Sequence, residues 1–118
     1  MRKTALFSAL IFAFTLNADL KNSLDKEINS LMEKVIEWRH DIHQYPELGN
    51  REFRTSKKIE DHLVSLGIQV ETKIAYTGVV GLIKGGMPGP TIALRADMDA
   101  LPVEEKTGLP FASKVRTT

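Results

Sequence analysis

The chain has 118 residues, enough for about one small domain. It carries 16 Lys and Arg, 15 Asp and Glu and three His, a formal charge of +1 that is interspersed rather than clustered. That balance argues against a nucleic-acid or polyanion partner. The absence of cysteine excludes disulfides and thiolate ligands.

The N-terminus begins Met1-Arg2-Lys3, continues through an apolar run from Ala5 to Phe14, and reaches Leu16-Asn17-Ala18 before the first acid, Asp19. A basic start, a short apolar core and a small residue at a cleavage position predict a secretory signal peptide over 1–18. Leu16 is an imperfect residue three positions before that cut, and a retained N-terminal anchor is the alternative. The apolar run is too short for a transmembrane span, and no later segment is a candidate. The expected location is therefore exported, periplasmic or secreted. Cleavage removes Arg2 and Lys3 but no acid, leaving 14 basic and 15 acidic residues. An exported domain of about 100 residues without disulfides must rely on its core, and for an α/β fold that is meagre.

Asn22 or Ser23 is a suitable N-cap, with Asp25 in the first turn where a helix dipole favours an acid. Leu24, Ile28, Leu31, Val35, Trp38 and Ile42 follow at spacings of four, three, four, three and four, one stripe of a helix to about His43. The stripe is too short for a sustained heptad seam, so packing against a sheet is expected. Tyr45-Pro46 ends the helix. After the turn Pro46-Glu47-Leu48-Gly49-Asn50, a second helix is expected with Asn50 as cap, Phe53, Ile59, Leu63 and Leu66 on its buried side and Gly67 as terminator.

Ile68-Gln69-Val70-Glu71-Thr72 alternates as a half-exposed strand does. Tyr76-Thr77-Gly78 turns the chain into a second strand, Val79 to Ile83. Gly85-Gly86-Met87-Pro88-Gly89-Pro90 is expected as a hairpin loop into a third strand beginning at Thr91. That stretch, Thr91-Ile92-Ala93-Leu94-Arg95-Ala96-Asp97-Met98-Asp99-Ala100-Leu101-Pro102, shows almost no alternation and predicts a strand buried on both faces. The predicted class is α/β: two N-terminal helices followed by strands of a mixed sheet. A buried strand without a visible partner on its far side makes the domain look incomplete.

Ligands and reacting groups gather beyond the carboxyl ends of strands in open α/β sheets. Asp97 and Asp99 stand there and are the candidate catalytic residues, with Arg95 as a cation that could stabilise them. A bare D-x-D is more often a solvated turn. His40 and His43 lie three apart at the end of the first helix, without the i,i+4 spacing and glutamate of a zinc-protease helix. A structural role near the helix C-terminus is expected for both, and His62 is expected to be exposed. Glu104 and Glu105 read as a solvated loop. The glycine-rich 85–89 segment matches no phosphate-binding pattern.

Trp38-Arg39-His40-Asp41-Ile42-His43-Gln44-Tyr45-Pro46-Glu47-Leu48-Gly49, Tyr76-Thr77-Gly78-Val79-Val80-Gly81 and Leu94-Arg95-Ala96-Asp97-Met98-Asp99-Ala100-Leu101-Pro102 together resemble the M20 metallopeptidase family. The resemblance is to the amidohydrolase branch of hippurate and N-acyl-amino-acid hydrolases, and Glu104 to Ser113 continues it. It implies a two-domain enzyme with a di-metal centre of zinc, manganese or cobalt that cleaves the amide bond of a small N-acyl-amino-acid substrate. A homodimeric full-length form is one arrangement it allows. Asp99 matches the second acid of the family's H-x-D or D-x-D motif, and Asp97 stands where other branches have a metal-binding histidine.

The branch's Cys-Gly-His-Asp block, its later Glu-Glu pair and its further histidines are not matched in this sequence. By the resemblance, 19–118 is the N-terminal part of the catalytic domain with no complete set of metal ligands. The isolated chain is then expected to lack amidase activity. The alternative is a small exported interaction module that reuses the scaffold without catalysis.

Overall fold

In the computed structural model, which describes residues 2–116 with side chains from residue 19 onward, the first third of the chain is helical. Helix α1 (Arg2–Gln44) is followed by α2 (Phe53–Ser65), β1 (Gln69–Ile74) and β2 (Gly78–Leu82). The chain divides into two compact units, Met1–Arg39 and His40–Thr118.

The expected start of α1 at Asn22 or Ser23 is not found, because the helix runs on from Arg2. No Gly or Pro interrupts 4–23, and Asn or Ser inside a run of helix formers weakens a helix only slightly. The expected leader over 1–18 lies outside the residues whose side chains are described. Among the described residues no helix is long and apolar enough to cross a membrane.

In the first unit, Lys21 pairs with Asp25 at 3.1 Å and Lys34 with Glu37 at 2.7 Å along the helix surface. Leu24, Ile28, Leu31 and Val35, on the expected apolar stripe, are between 48 % and 58 % exposed. In the second unit the described residues form a two-stranded sheet, and α2 packs on both strands.

Helix α1 ends where Pro46 predicts, with the Tyr45 amide bonded to the Asp41 carbonyl at 3.2 Å. Asn50 does not cap α2. It takes a left-handed φ of 63°, and Glu52 occupies the N-cap position without a side-chain cap bond of its own. The carboxylate of Glu47 does the capping, accepting the Arg54 amide at 2.9 Å and the Thr55 amide at 2.8 Å. Both are amides that a helix start leaves without intrahelical partners. A fixed negative charge there also complements the helix dipole.

At its other end α2 stops as expected at Gly67, which adopts φ 73°. The Gly67 amide bonds the Val64 carbonyl at 2.9 Å and the Ile68 amide bonds the Leu63 carbonyl at 3.1 Å. That pair of bonds is the Schellman arrangement, and it directs the chain back into β1. Leu63 and Ile68 converge over Gly81 of β2, each 3.2 Å from where a Cβ there would stand. Phe53 and Leu66, expected on the buried side, are 69 % and 61 % exposed.

β1 and β2 pair antiparallel, Val70 opposite Gly81 and Glu71 opposite Val80. A register shift follows between Glu71 and Ile74, where Lys73 has a left-handed φ of 62°. At Gly78 a Cβ would stand 2.4 Å from the Ile74 carbonyl oxygen, so the turn closes only around glycine. Among the described residues the buried side chains are polar, Glu52, Thr55 and Thr77, and of these Thr55 is fully buried. The Thr77 hydroxyl donates to the Glu52 carboxylate at 2.5 Å, tying the hairpin turn to the start of α2 and lowering the Glu52 pKa.

The α/β order stands as two helices and a two-stranded antiparallel sheet. The buried third strand does not form. From 91 to 99 there is no strand, and Ile92 and Leu94 are 82 % and 96 % exposed. An apolar run becomes a buried strand only when a neighbour satisfies its backbone groups and covers its faces, and β1 and β2 pair only with each other. The 85–90 segment is therefore a connection into an extended stretch rather than a hairpin loop.

Candidate functional site

Within the second unit, the turn after α1 brings distant parts of the sequence together. Asp41 receives Arg54 Nη2 and Lys58 Nζ, each at 2.5 Å, which joins the last turn of α1 to α2. The Arg54 guanidinium and then the Lys58 ammonium hold the Asp41 carboxyl below its usual value. Arg54 also lies 5.0 Å from the Tyr45 ring centre, and Lys114 5.7 Å from it.

The Glu47 carbonyl accepts the Ala100 amide at 2.8 Å, and Leu48 forms an isolated parallel bridge with Ala100. This contact anchors the chain directly after the two acids. Asp99 directly precedes it, and Asp99 Oδ2 lies 3.7 Å from where a Cβ on Gly49 would stand. Asp97 is placed differently: Arg95 Nε donates to its Oδ1 at 2.9 Å, with both side chains largely exposed. The structure thus separates the two candidates, one held by a local cation and one set against the 47–49 turn.

Among the described residues no three His, Cys, Asp or Glu side chains converge closely enough to hold a metal ion. Asp97 is already engaged by Arg95. The groups described here therefore do not fit a resident metal by themselves.

The 104–113 loop overturns one expectation. Glu104 is solvated, 61 % exposed and near Arg116 at 3.4 Å, but the Glu105 side chain is only 14 % exposed. Glu105 accepts the Ser113 amide at 2.6 Å and the Thr107 hydroxyl, and meets His43 Nε2 at 3.1 Å. The Ser113 amide, then Thr107, then His43 hold its carboxyl down to about 2. His40 stacks on Phe111 with ring centres 3.8 Å apart, and His43 meets the same ring edge-on at 5.7 Å. Both histidines, expected to act structurally near the helix C-terminus, meet Phe111 of the loop. His62 is exposed on α2.

A cleft of about 230 Å³ lies between the 46–48 turn and the 100–105 and 113–116 segments. Pro46, Leu48, Leu101 and Val103 give it apolar walls, and Glu104 and Arg116 mark its charged side.

Sequence patterns missed Glu47 and Glu105. The signal for Glu47 was an acid five residues before a helix cap. The signal for Glu105 was an acid two residues before Thr107-Gly108, where Gly108 takes φ 66° and folds the loop back.

No protein-family model matches the chain. Thermostable carboxypeptidase 1 of Saccharolobus solfataricus is 48 % identical over 99 residues, 83 % of this chain and 25 % of that protein. Hippurate hydrolase of Campylobacter jejuni is 46 % identical over 92 residues, 78 % of this chain and 24 % of that enzyme. The solved structure of Bacillus subtilis YXEP protein, described as a dinuclear metal binding peptidase from the M20 family, aligns with a TM-score of 0.69 at 45 % identity. That alignment covers 75 % of this chain and 25 % of the other. The chain spans about a quarter of the length of the relatives it matches. Across the stretch it shares with them, in sequence and in fold, the chain belongs to the M20 family.

Proposed function

We propose that this chain supplies the Asp97–Asp99 turn of an amidohydrolase that cleaves hippurate-like N-acyl-amino-acid amide bonds. The observation that carries the reading is the Glu47–Ala100 bridge, which holds Asp99 beside the 47–49 turn in a chain 46 % identical to a hippurate hydrolase. In such a reaction water adds to the acyl carbon, the C–N bond breaks, and a carboxylate and a free amino acid leave. Asp99 contributes a positioned carboxylate that accepts a hydrogen bond and favours a neighbouring positive charge or proton. The whole protein takes divalent metal, zinc, manganese or cobalt, with ligands beyond those described here. Without such a set the 118-residue chain does not turn over alone. The protein is exported, which the basic and apolar pattern of 1–18 supports.

The identity to hydrolases over most of this chain favours the amidohydrolase reading over an independent interaction module.

The test is a hybrid in which residues 19–118 replace the matching stretch of the Campylobacter hippurate hydrolase. Metal-dependent release of glycine from hippurate is expected. A soluble, folded hybrid with no hydrolysis of hippurate or of other N-acyl amino acids would sink the reading.

A further inference from the structure

Three contacts tie the 100–114 loop to the end of α1 and the turn after it. At its start the Ala100 amide bonds the Glu47 carbonyl at 2.8 Å, and at its end the Lys114 amide bonds the Gln44 carbonyl at 2.8 Å. Between them Glu105 reaches back to His43 Nε2 at 3.1 Å. The same carboxylate takes the Ser113 amide at 2.6 Å and the Thr107 hydroxyl, so both limbs of the loop end on one group. Phe111, between them, packs against His40 and His43. A loop held only at its ends keeps much of its conformational freedom, and a clamp at its middle removes most of what remains.

We propose that His43 and Glu105 are positioning residues for Asp99. By pinning the loop to the last turn of α1 they fix the Ala100 bridge, and with it the place of the Asp99 carboxylate one residue earlier. The role in catalysis rests on the amidohydrolase reading, whereas the mechanical coupling does not. A loop staple with no bearing on Asp99 is the competing account.

The coupling is tested on the ¹⁵N-labelled 118-residue chain with Glu105→Ala and Glu105→Gln. Glutamine keeps a carbonyl oxygen for the Ser113 amide and the His43 ring, and its amide NH2 can donate to the Thr107 hydroxyl in place of the bond that hydroxyl gave. Glu105→Ala is expected to speed exchange of the Ala100 amide by about tenfold or more and to move the Asp99 and Ala100 resonances. The amides of the β1–β2 pairing should keep their protection, and Glu105→Gln should restore most of the slow exchange at Ala100. Four results overturn the proposal: an Ala100 amide unprotected in the unaltered chain, unchanged exchange in Glu105→Ala, equal loosening of the hairpin, or no rescue by glutamine.

In the hybrid enzyme, Glu105→Ala is expected to lower kcat about tenfold with little change in KM, and to cost nothing further when Asp99 is already Asn. Additive losses would contradict action through Asp99. A hybrid without any activity counts against the amidohydrolase reading and leaves the exchange data to decide the coupling.

Discussion

The carbonyl of Glu47 accepts the amide of Ala100 at 2.8 Å, while the carboxylate of Glu47 caps α2 through the Arg54 and Thr55 amides. One residue therefore joins the start of a helix to the acidic turn. Glu47→Ala should cost about 1–2 kcal/mol in unfolding by urea, the usual worth of a helix cap. Glu47→Gln, which keeps one acceptor oxygen, should lose less than half of that. Equal stability of all three chains would remove Glu47 from this role.

The path from α2 into the hairpin depends on two glycines for different reasons. Gly67 takes φ 73° with open space around its Cβ position, so Gly67→Ala should cost about 1 kcal/mol from backbone strain alone. Gly78→Ala would bring a Cβ within 2.4 Å of the Ile74 carbonyl oxygen, and its cost should be about two to three times larger. Thermal midpoints in the reverse order would contradict the turn geometry.

Acid should weaken the 104–113 loop. The folded Glu105 carboxyl is lowered from 4.5 to about 2 by the Ser113 amide, Thr107 and His43. A depressed folded value adds stability that is complete above the unfolded value and is lost as pH falls toward the folded one. Asp41 shifts in the same direction, through Arg54 and Lys58. Unfolding midpoints should therefore fall between about pH 4.5 and 2, and Glu105→Gln should flatten part of that slope. Matching profiles for Glu105→Gln and the unaltered chain would show that this carboxylate is not the group responsible.

The C-terminal ends of both helices and the turn between β1 and β2 were legible because each depends on neighbours a few residues away. Pro46 stops α1, Gly67 terminates α2, and Gly78 closes the turn without help from distant residues. Burial was less legible, since it depends on what lies opposite. The stripe from Leu24 to Val35 and the run from Thr91 to Leu94 have the patterns of covered elements and are exposed. The candidate site was half visible. Asp97 and Asp99 stand out as a pair, and the Arg95–Asp97 pairing was within reach. The Leu48–Ala100 bridge and the Glu105–His43 contact join residues 52 and 62 positions apart, and no local period announces such contacts.

The proposed export gives a prediction independent of the fold. Material recovered from outside the cytoplasm should begin at or within a few residues of Asp19 by N-terminal sequencing. An intact Met1 on exported material would favour an uncleaved anchor, and cytoplasmic recovery of the whole chain would contradict export.

The most direct measurement is hippurate hydrolysis by the hybrid enzyme carrying Asp99→Asn, beside Asp97→Asn. On the proposed amidohydrolase reading Asp99, held beside the 47–49 turn by the Glu47–Ala100 bridge, takes part in the reaction, so Asp99→Asn should lower kcat by about 100-fold or more with KM little changed. Asp97, engaged by Arg95, should be the less costly of the two. An Asp99→Asn enzyme with kcat within a few fold of its parent would contradict the account.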